Sequence, residues 1–426
     1  MYYADLHIHS KYSRATSKEL NPESLFRWAQ LKGVQVVGSG DCTHPGWLKE
    51  LKKKIEPSGD GLFKLKNDIA EAVQKDVPAA CEGEVRFILS GEVSSIYKKN
   101  DKVRKVHNVV FLSSFEAAER FQSRLGKIGN IVSDGRPILG LDARDLLEVL
   151  LETDEEGFLV PAHIWTPWFS VLGSKGGFDS VQECFGDLTG HIFAVETGLS
   201  SDPLMNWRLS QLDRFVMISN SDAHSPQKLG REATIFDGTI SYQAIYRALK
   251  EATPELLGTV EFYPEEGKYH YDGHRQCQSR LHPKETIENK GLCPVCGKPV
   301  TVGVMARVEE LADHPEGRKS PKARPYYSLV PLPEIIAEAR GVGAGSKKVD
   351  SDLFEMFSKL GNELFILREL PLKEIEKTCG TLVAEGVRRV REGNLQIAAG
   401  YDGEYGTIHI FSDEERATAK EQMTLF

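Results

Sequence analysis

The chain has 426 residues, of which 40% are hydrophobic and 27% are charged, and its formal net charge is −9. This length suffices for two or three domains. The acidic balance argues against a generally basic nucleic-acid-binding protein, but it leaves room for one in which bound metal ions add positive charge. No apolar run approaches the length of a membrane span, and the first residues lack the basic and apolar regions of a secretory signal. We therefore expect a cytoplasmic protein.

The first predicted element is a strand over residues 1–4 that leads into a His-x-His pair. His7 and His9 are two positions apart, so on a strand both side chains point to the same face. Two imidazoles aimed at one point supply half of a zinc-like coordination sphere. Such a pair taken alone is most often a chance surface feature, so the downstream pattern decides its meaning.

Strands and helices then alternate, and ligand-type side chains follow the strands. A helix begins after Asn21 and ends at Gly33, and it is followed by a strand over residues 34–37. Further strands are predicted over 87–90, 105–112, 157–161, 191–195 and 215–218, with helices over 142–151 and 242–250. Most of the ligand-type residues lie at or just beyond the strand ends, and the set is Asp41, His44, Glu92, His107, His163, Glu196, Asp222 and His224.

This alternation predicts an α/β barrel with a metal site on its rim. In parallel α/β barrels, functional side chains lie at the carboxyl ends of the strands. A random scatter of His, Asp and Glu would not follow the strand ends, so the joint pattern makes a metal site far more probable than the His-x-His pair alone does.

The ordered motifs resemble the polymerase and histidinol phosphatase (PHP) superfamily over about residues 1 to 250. The resemblance implies a distorted seven-stranded β/α barrel, the PHP barrel, which holds up to three divalent metal ions and hydrolyses phosphoesters. The residues that carry it are Asp5-Leu-His7-Ile-His9-Ser10, Glu92, His107, His163 and Ser221-Asp222-Ala-His224.

The resemblance also implies a set of metal ligands. One metal would be held by His7, His9, Glu92 and Asp222, and a second by Glu92, His107 and His163, with Glu92 as a bridge. Asp41, His44 and His224 are the candidates for a third metal. Many members have an Asp near the position of Arg14, and Asp41 would take the place of that Asp here. Asp222, His224 and Glu92 are the residues expected in catalysis. Glu196 is either an acid that orients a ligand or an ordinary strand-end carboxylate.

The expected chemistry follows from clustered divalent metals. They lower the pKa of a bound water and neutralise the charge of a phosphodiester. Histidine-rich sites suit zinc, whereas carboxylate bridges accept manganese or magnesium, so the metal stays open. On the loop after His163, the aromatic side chains of Trp165, Trp168 and Phe169 either pack in the core or form a stacking surface for bases.

A second metal site is predicted beyond the barrel. The seven cysteines form an odd set in a chain expected to be cytoplasmic, which indicates thiols and a metal site in preference to disulfides. Cys293-Pro-Val-Cys296 is a knuckle typical of structural zinc, and Cys277 adds a third thiolate. His274 is the expected fourth ligand, with His270 and His282 as alternatives. The alternative explanation of Cys293 and Cys296 is a redox-active pair. The presence of Cys277 argues against it, because a redox Cys-x-x-Cys pair needs no third cysteine.

These patterns divide the chain into four parts. The PHP barrel covers residues 1–255, a zinc-binding module 256–320, a mainly helical DNA-binding domain 321–415, and a flexible tail 416–426. The proline-rich stretch 321–333 is the expected linker, and helices are predicted over 334–340, 352–361, 372–378 and 381–392.

A barrel followed by His-Arg-x-Cys…Cys-Pro-x-Cys-Gly-Lys and then by Gly-Tyr-Asp-Gly-Glu-Tyr-Gly resembles the endonuclease Q family over essentially the whole chain. The resemblance implies a DNA repair endonuclease that cleaves on the 5′ side of deaminated bases (uracil, hypoxanthine and xanthine) and of abasic sites. The first alternative is a small-molecule phosphatase of the histidinol-phosphate type. The zinc module and the helical domain argue against it, because such an enzyme needs only a compact barrel. A metal-free scaffold that binds DNA or a polymerase would not keep such costly clustered acids.

The last five residues suggest a partner. Gln422, Leu425 and Phe426 match the Gln-x-x-Leu-Phe peptide with which bacterial repair and replication proteins bind the sliding clamp, and they follow a charged stretch. A frayed terminus is the alternative explanation, because a five-residue match is weak on its own.

Overall fold

The structure, a computed structural model, describes residues 1–412, 414 and 415. The predicted clamp-binding residues Gln422, Leu425 and Phe426 lie outside the described residues. Across the described part of the chain, no helix is both long and apolar enough to cross a membrane.

Twelve strands lie between residues 2 and 261, and most of them are short and buried. They are β1 (Tyr2–Asp5), β2 (Val36–Gly38), β3 (Ile55–Pro57), β4 (Phe63–Leu65), β5 (Arg86–Lys99), β6 (Lys102–Leu112), β7 (Ile138–Leu139), β8 (Phe158–Pro161), β9 (Ala194–Glu196), β10 (Val216–Ile218), β11 (Ala233–Phe236) and β12 (Leu256–Glu261).

Seven of these strands form the ring of a distorted barrel, which confirms the predicted fold class. In order around the ring they are β1, β2, β5, β6, β8, β9 and β10. The hydrogen bond from Ile164 N to Glu196 O (3.1 Å) links β8 to β9, and a parallel bridge between Ile8 and Ala223 joins the end of β10 to β1. The barrel is distorted because β6 runs antiparallel to both of its neighbours.

The first helix shows how the local sequence sets these elements. The side chain of Asn21 accepts a hydrogen bond from Ser24 N (2.9 Å), Pro22 occupies the first turn, and Gly33 ends the helix at φ 86°. The helices packed around the barrel are α1 (Pro22–Lys32), α2 (Pro45–Lys54), α3 (Asn67–Gln74), α4 (Phe115–Ile128), α5 (Ala143–Thr153), α6 (Val181–Phe185), α7 (Pro203–Asn206) and α8 (Tyr242–Glu251).

The barrel's sheet continues past the predicted boundary at residue 255. β12 pairs antiparallel with β11, and a further strand, Tyr326–Ser328, pairs parallel with β12. The stretch 321–333 is therefore not a free linker, because its central residues add an edge strand to the sheet.

The module between these two strands is small. It contains β13 (Asp272–His274), β14 (Ser279–Leu281), α9 (Pro283–Glu288) and α10 (Val304–Leu311), and the edge strand that follows it is β15. Arg307 on α10 fixes the module to the barrel by donating hydrogen bonds to Leu172 O and Phe178 O, both 3.1 Å long.

The C-terminal region is mainly helical, as predicted, with one helix more than the sequence indicated. A buried ion pair between Lys32 on α1 and Glu363 (2.6 Å) ties this region to the barrel. Its elements are α11 (Leu332–Arg340), α12 (Lys347–Leu360), α13 (Glu363–Arg368), α14 (Leu372–Cys379), α15 (Thr381–Glu392), β16 (Gln396–Ala398) and β17 (Thr407–His409).

Candidate metal centre

The barrel brings six of the predicted ligands together, four from segments that follow β1, β8 and β10 and two, Glu92 and His107, from the middles of β5 and β6. They form two groups, and within each group the candidate ligand atoms lie within 4.8 Å of one another. The first group is His7, His9 and Asp222, and the second is Glu92, His107 and His163.

Glu92 lies between the two groups. Its Oε1 is 2.6 Å from His107 Nδ1 and 3.1 Å from His163 Nε2. Its two oxygens also approach the first group, at 3.8 Å from His7 Nε2 and 3.5 Å from His9 Nε2. This is the position that the sequence predicted for a bridging carboxylate.

Several ligand atoms are buried without a hydrogen-bond partner among the described residues. They include His7 Nε2 and His163 Nδ1, whereas His9 Nε2 and Asp222 Oδ1 face each other at 2.9 Å. Buried polar atoms are normally paired, so a cluster of unpaired ones needs an explanation. Imidazole nitrogens and carboxylate oxygens that converge on one point are the donors that divalent metals take. The residues therefore fit divalent metal ions.

The charge states of the ligands support the same conclusion. Burial alone would raise the pKa of Glu92, but His107 and His163 outweigh it and hold that pKa well below its usual value. Burial lowers the pKa of His107 to about 4, so its imidazole is neutral at neutral pH. Burial would lower the pKa of His7, but Glu196, Asp222 and Glu92 outweigh it and raise that pKa to about 9. The buried carboxylates thus favour positive charge at this site, and a metal ion that binds there displaces protons from the histidines.

Carboxylates hold the far side of two ligating histidines. Glu196 lies 3.0 Å and 3.1 Å from His7 Nδ1, and Asn220 donates a hydrogen bond to Glu196 Oε1 (2.8 Å). Asp41 lies 3.2 Å from His9 Nδ1. Such partners fix the tautomer and the orientation of a ligating histidine. Of the two roles left open for Glu196, the geometry favours ligand orientation.

The backbone is unusual at three of these positions. His163, Asp222 and Asp41 adopt positive φ angles of 29°, 47° and 45°. Residues other than glycine rarely occupy this region, and such strain tends to collect at functional sites. Hydrogen bonds from Ser221 N and Gly230 N to the Asp5 carboxylate, both 2.9 Å long, hold the segment around Asp222 against the end of β1.

The structure does not assemble the predicted third site. His44 caps α2: its Nδ1 accepts from Trp47 N (3.2 Å) and its Nε2 lies 2.9 Å from Val132 O, so both ring nitrogens are used. Asp41 accepts hydrogen bonds from Ser10 and Ser13 as well as facing His9. His224 remains beside the first group, with its ring 4.6 Å from that of His9.

A cavity of about 410 Å³ opens beside the two groups, and Arg136 lies on its wall. Arg136 Nη1 lies 3.1 Å from Glu92 Oε2. Arg136 follows no predicted strand and belongs to no motif, so the sequence does not mark it as a site residue. Asn220 was not predicted either, although its polar side chain two positions before Asp222 is a signal that could have indicated it.

The aromatic residues of the 163–169 loop have different environments. Trp165 is buried and donates a hydrogen bond to Asn206 Oδ1 (2.8 Å), so of the two roles left open for it the structure shows core packing and not base stacking. Trp168 is 42% exposed and lines the cavity. Phe169 also lines the cavity and packs against His107, with ring centroids 4.7 Å apart.

The zinc knuckle forms a separate four-residue cluster. His274, Cys277, Cys293 and Cys296 place their ligand atoms within 4.8 Å of one another. Burial raises the pKa of the Cys293 thiol, but the backbone N–H groups of Cys296 and Val295 outweigh it and lower that pKa to about 6. A thiolate is the form that binds metal. His282 instead caps α9, and His270 is not part of the cluster.

Two family models match parts of the chain. The model described as PHP-associated matches residues 207–254, and the MJ0043 C-terminal domain matches residues 331–394. The uncharacterized protein MJ0043 of Methanocaldococcus jannaschii is 34% identical over 273 residues, which are 61% of this chain. The alignment spans only about a third (33%) of that longer relative.

Solved structures match nearly the whole chain. The lesion-specific endonuclease PfuEndoQ from Pyrococcus furiosus is 32% identical, with a TM-score of 0.83 over 100% of this chain and 99% of that one. An endonuclease Q in complex with a 27-mer duplex that carries an abasic lesion at its active site is also 32% identical, with a TM-score of 0.81 and 97% of each chain covered. The chain therefore belongs to the endonuclease Q family and is a metal-dependent hydrolase of phosphodiester bonds.

Proposed function

We propose that the protein is a DNA repair endonuclease that cleaves the phosphodiester on the 5′ side of deaminated bases (uracil, hypoxanthine and xanthine) and of abasic sites. The observation that supports it most is the combination of two intact ligand groups with an adjoining cavity, in a chain that aligns along 97% of its length with an endonuclease Q bound to an abasic duplex.

The chain's own side chains suggest how a DNA strand is held at this site. The two groups, His7, His9 and Asp222 and then Glu92, His107 and His163, would hold divalent ions, which when bound would supply positive charge at the phosphate and lower the pKa of a water molecule. Arg136 offers a guanidinium group to a phosphate oxygen from the cavity wall. Trp168, with Phe169, presents an aromatic surface on which an unpaired base or a neighbouring base stacks. We propose that the barrel binds up to two ions and that the knuckle binds one zinc ion.

The test compares cleavage of 5′-labelled duplexes that contain uracil, hypoxanthine, xanthine or an abasic site with cleavage of the undamaged duplex and of phosphate monoesters. We expect a nick on the 5′ side of each lesion, loss of activity with a chelator, and recovery with added divalent metal. Hydrolysis of monoesters without cleavage of any lesion duplex would overturn the proposal.

We also propose, from the sequence alone, that Gln422, Leu425 and Phe426 bind a sliding clamp. A five-residue peptide makes few contacts with its partner, so we expect modest affinity. Titration of a sliding clamp with the full chain and with a chain truncated after Glu421 tests this. The full chain should bind and the truncated chain should not. Equal binding by both, or binding by neither, would remove the proposal.

A further inference from the structure

The hairpin formed by β5 and β6 ends in a cluster of cationic side chains that has no role in the proposed function as described above. Residues 98–105 contain five cationic side chains and one acidic side chain, in a chain whose formal net charge is −9. The same two strands carry Glu92 and His107 nearer the barrel. A positively charged segment on the same strands as the metal ligands attracts anionic partners to that side of the site.

The register of the hairpin shows which of these cations face the cavity. Ser94 pairs with His107, Ile96 with Lys105, and Lys98 with Val103. Directly opposed residues share a face, and so do residues two apart on one strand. Lys105 and Lys98 therefore lie on the face that carries the metal ligands. Each step of two residues along that face is about 7 Å.

The surroundings of Lys105 place it at the edge of the cavity. Its Nζ lies 5.5 Å from the ring centroid of Phe169, which lines the cavity and packs against His107. No carboxylate oxygen of the described residues lies within ion-pair distance of Lys105. Lys98 pairs only with Asp101 (3.3 Å), and both side chains are so exposed, 70% and 99%, that the pair contributes little.

The opposite face of the hairpin is engaged with the protein. Lys99 donates to Cys184 O (3.1 Å) and forms an ion pair with Asp142 (3.0 Å), and Arg104 stacks on Phe178 at 4.1 Å. Lys102 is on this face, at its exposed end. The hairpin thus carries cations on both faces, but only the face with Lys105 and Lys98 continues from the metal centre.

We infer that Lys105 and Lys98 bind phosphates of the DNA strand on one side of the cleaved bond, so that the hairpin positions that strand over the metal centre. The inference rests on the proposed function. Lysine contacts of this kind add affinity without sequence preference and fix the register of the strand, as a repair enzyme that reads only the lesion requires.

The test uses the full chain with Asp222→Asn as the parent, so that the DNA stays uncut, and a fluorescent duplex that contains one abasic site. Lys105→Gln and Lys98→Gln should each weaken binding about three- to tenfold at ~100 mM salt and make the slope of log K against log[salt] shallower by about 0.9. Lys102→Gln, the control on the opposite face, should stay within twofold of the parent with the same slope. Lys105→Arg, which keeps the charge, should restore binding.

The outcomes separate this inference from the proposed function. If unsubstituted protein neither nicks nor binds the lesion duplex, the proposed function has failed. If it nicks the duplex but Lys105→Gln and Lys98→Gln bind as tightly as the parent, only the hairpin inference is overturned. An equal loss for Lys102→Gln would also overturn it, because the effect would then be general charge and not a particular face.

Discussion

The barrel centre and the zinc knuckle hold their candidate ligands in opposite ways. The barrel ligands come from positions as far apart as His7 and Asp222, and each is buried or lies on the cavity wall. Protein groups such as Glu196 and Asp41 hold the far side of the histidines. The knuckle ligands lie between His274 and Cys296, and Cys296 is exposed.

The difference lies in what holds each site in place. The barrel site lies at one end of a ring of strands with a large apolar core. The apolar cluster around the knuckle contains three buried residues, Leu281, Cys293 and Val300. Small modules with so little core generally draw their folding energy from the metal. We therefore expect the barrel to position metals for chemistry and a bound metal to stabilise the module.

The largest effect should come from Asp222→Asn. The substitution removes a ligand from the first group while the barrel keeps its core, so we expect cleavage to fall by more than about 100-fold and the melting temperature to change by no more than about 3 °C. Nicking assays and thermal denaturation measure the two effects. Asp187→Asn, at an exposed ion pair with Arg144, is the matched control and should have neither effect. Nicking at the unsubstituted rate would remove Asp222 from the site.

A smaller loss is expected for Glu196→Gln. An amide is a weaker acceptor than a carboxylate for His7, so metal affinity should fall about 10- to 100-fold. Activity measured against metal concentration should shift to higher metal and recover at saturation. A loss that excess metal does not restore would show that Glu196 acts in another way than through His7.

Cys293→Ser tests whether a bound metal stabilises the zinc module. We expect the full chain to lose one metal ion and to gain an unfolding transition below that of the barrel, because the module has little apolar core of its own. Elemental analysis and calorimetry measure these changes. The control, Cys379→Ser in the helical region, should keep the metal count. An unchanged metal count for Cys293→Ser would mean that the knuckle does not bind metal.

The candidate barrel ligands could be selected from the sequence because short apolar runs indicate where strands lie. His7, His9 and Glu92 each follow or lie in an apolar run, and a barrel brings such positions together. His44 has the same local signature, but the following Pro45 begins a helix and the imidazole becomes its cap. Arg136 reaches Glu92 only through the tertiary fold, and nothing within its own segment indicates that contact.

The aromatic loop shows the same limit. Trp165 and Trp168 are three residues apart in one segment, and both are plausible stacking residues by composition. Their environments differ because Asn206, 41 positions away, accepts a hydrogen bond from the Trp165 indole inside the protein. Local sequence cannot contain that information.

The smallest predicted effect concerns Glu261, the last residue of β12, whose carboxyl group is buried and has no histidine partner among the described residues. Burial, opposed in part by hydroxyls such as those of Thr197 and Ser219, raises the pKa of Glu261 to about 8. The pKa in the folded state then exceeds that of the unfolded chain. The associated stability is therefore fully present below about pH 4.5 and is lost as the pH rises through about 8.

Glu261→Gln removes that titration. It therefore tests whether Glu261 is protonated in the folded protein, unlike Glu92, whose histidine neighbours keep it ionised. Between pH 5 and pH 9 the variant should gain stability relative to the unsubstituted chain, on the order of 3 kcal/mol. Urea unfolding across that range measures the difference, with Glu251→Gln, at an exposed helix end, as the control. A difference that does not change with pH would mean that Glu261 is ionised in the folded barrel throughout, and that burial without a cationic partner is not what separates it from Glu92.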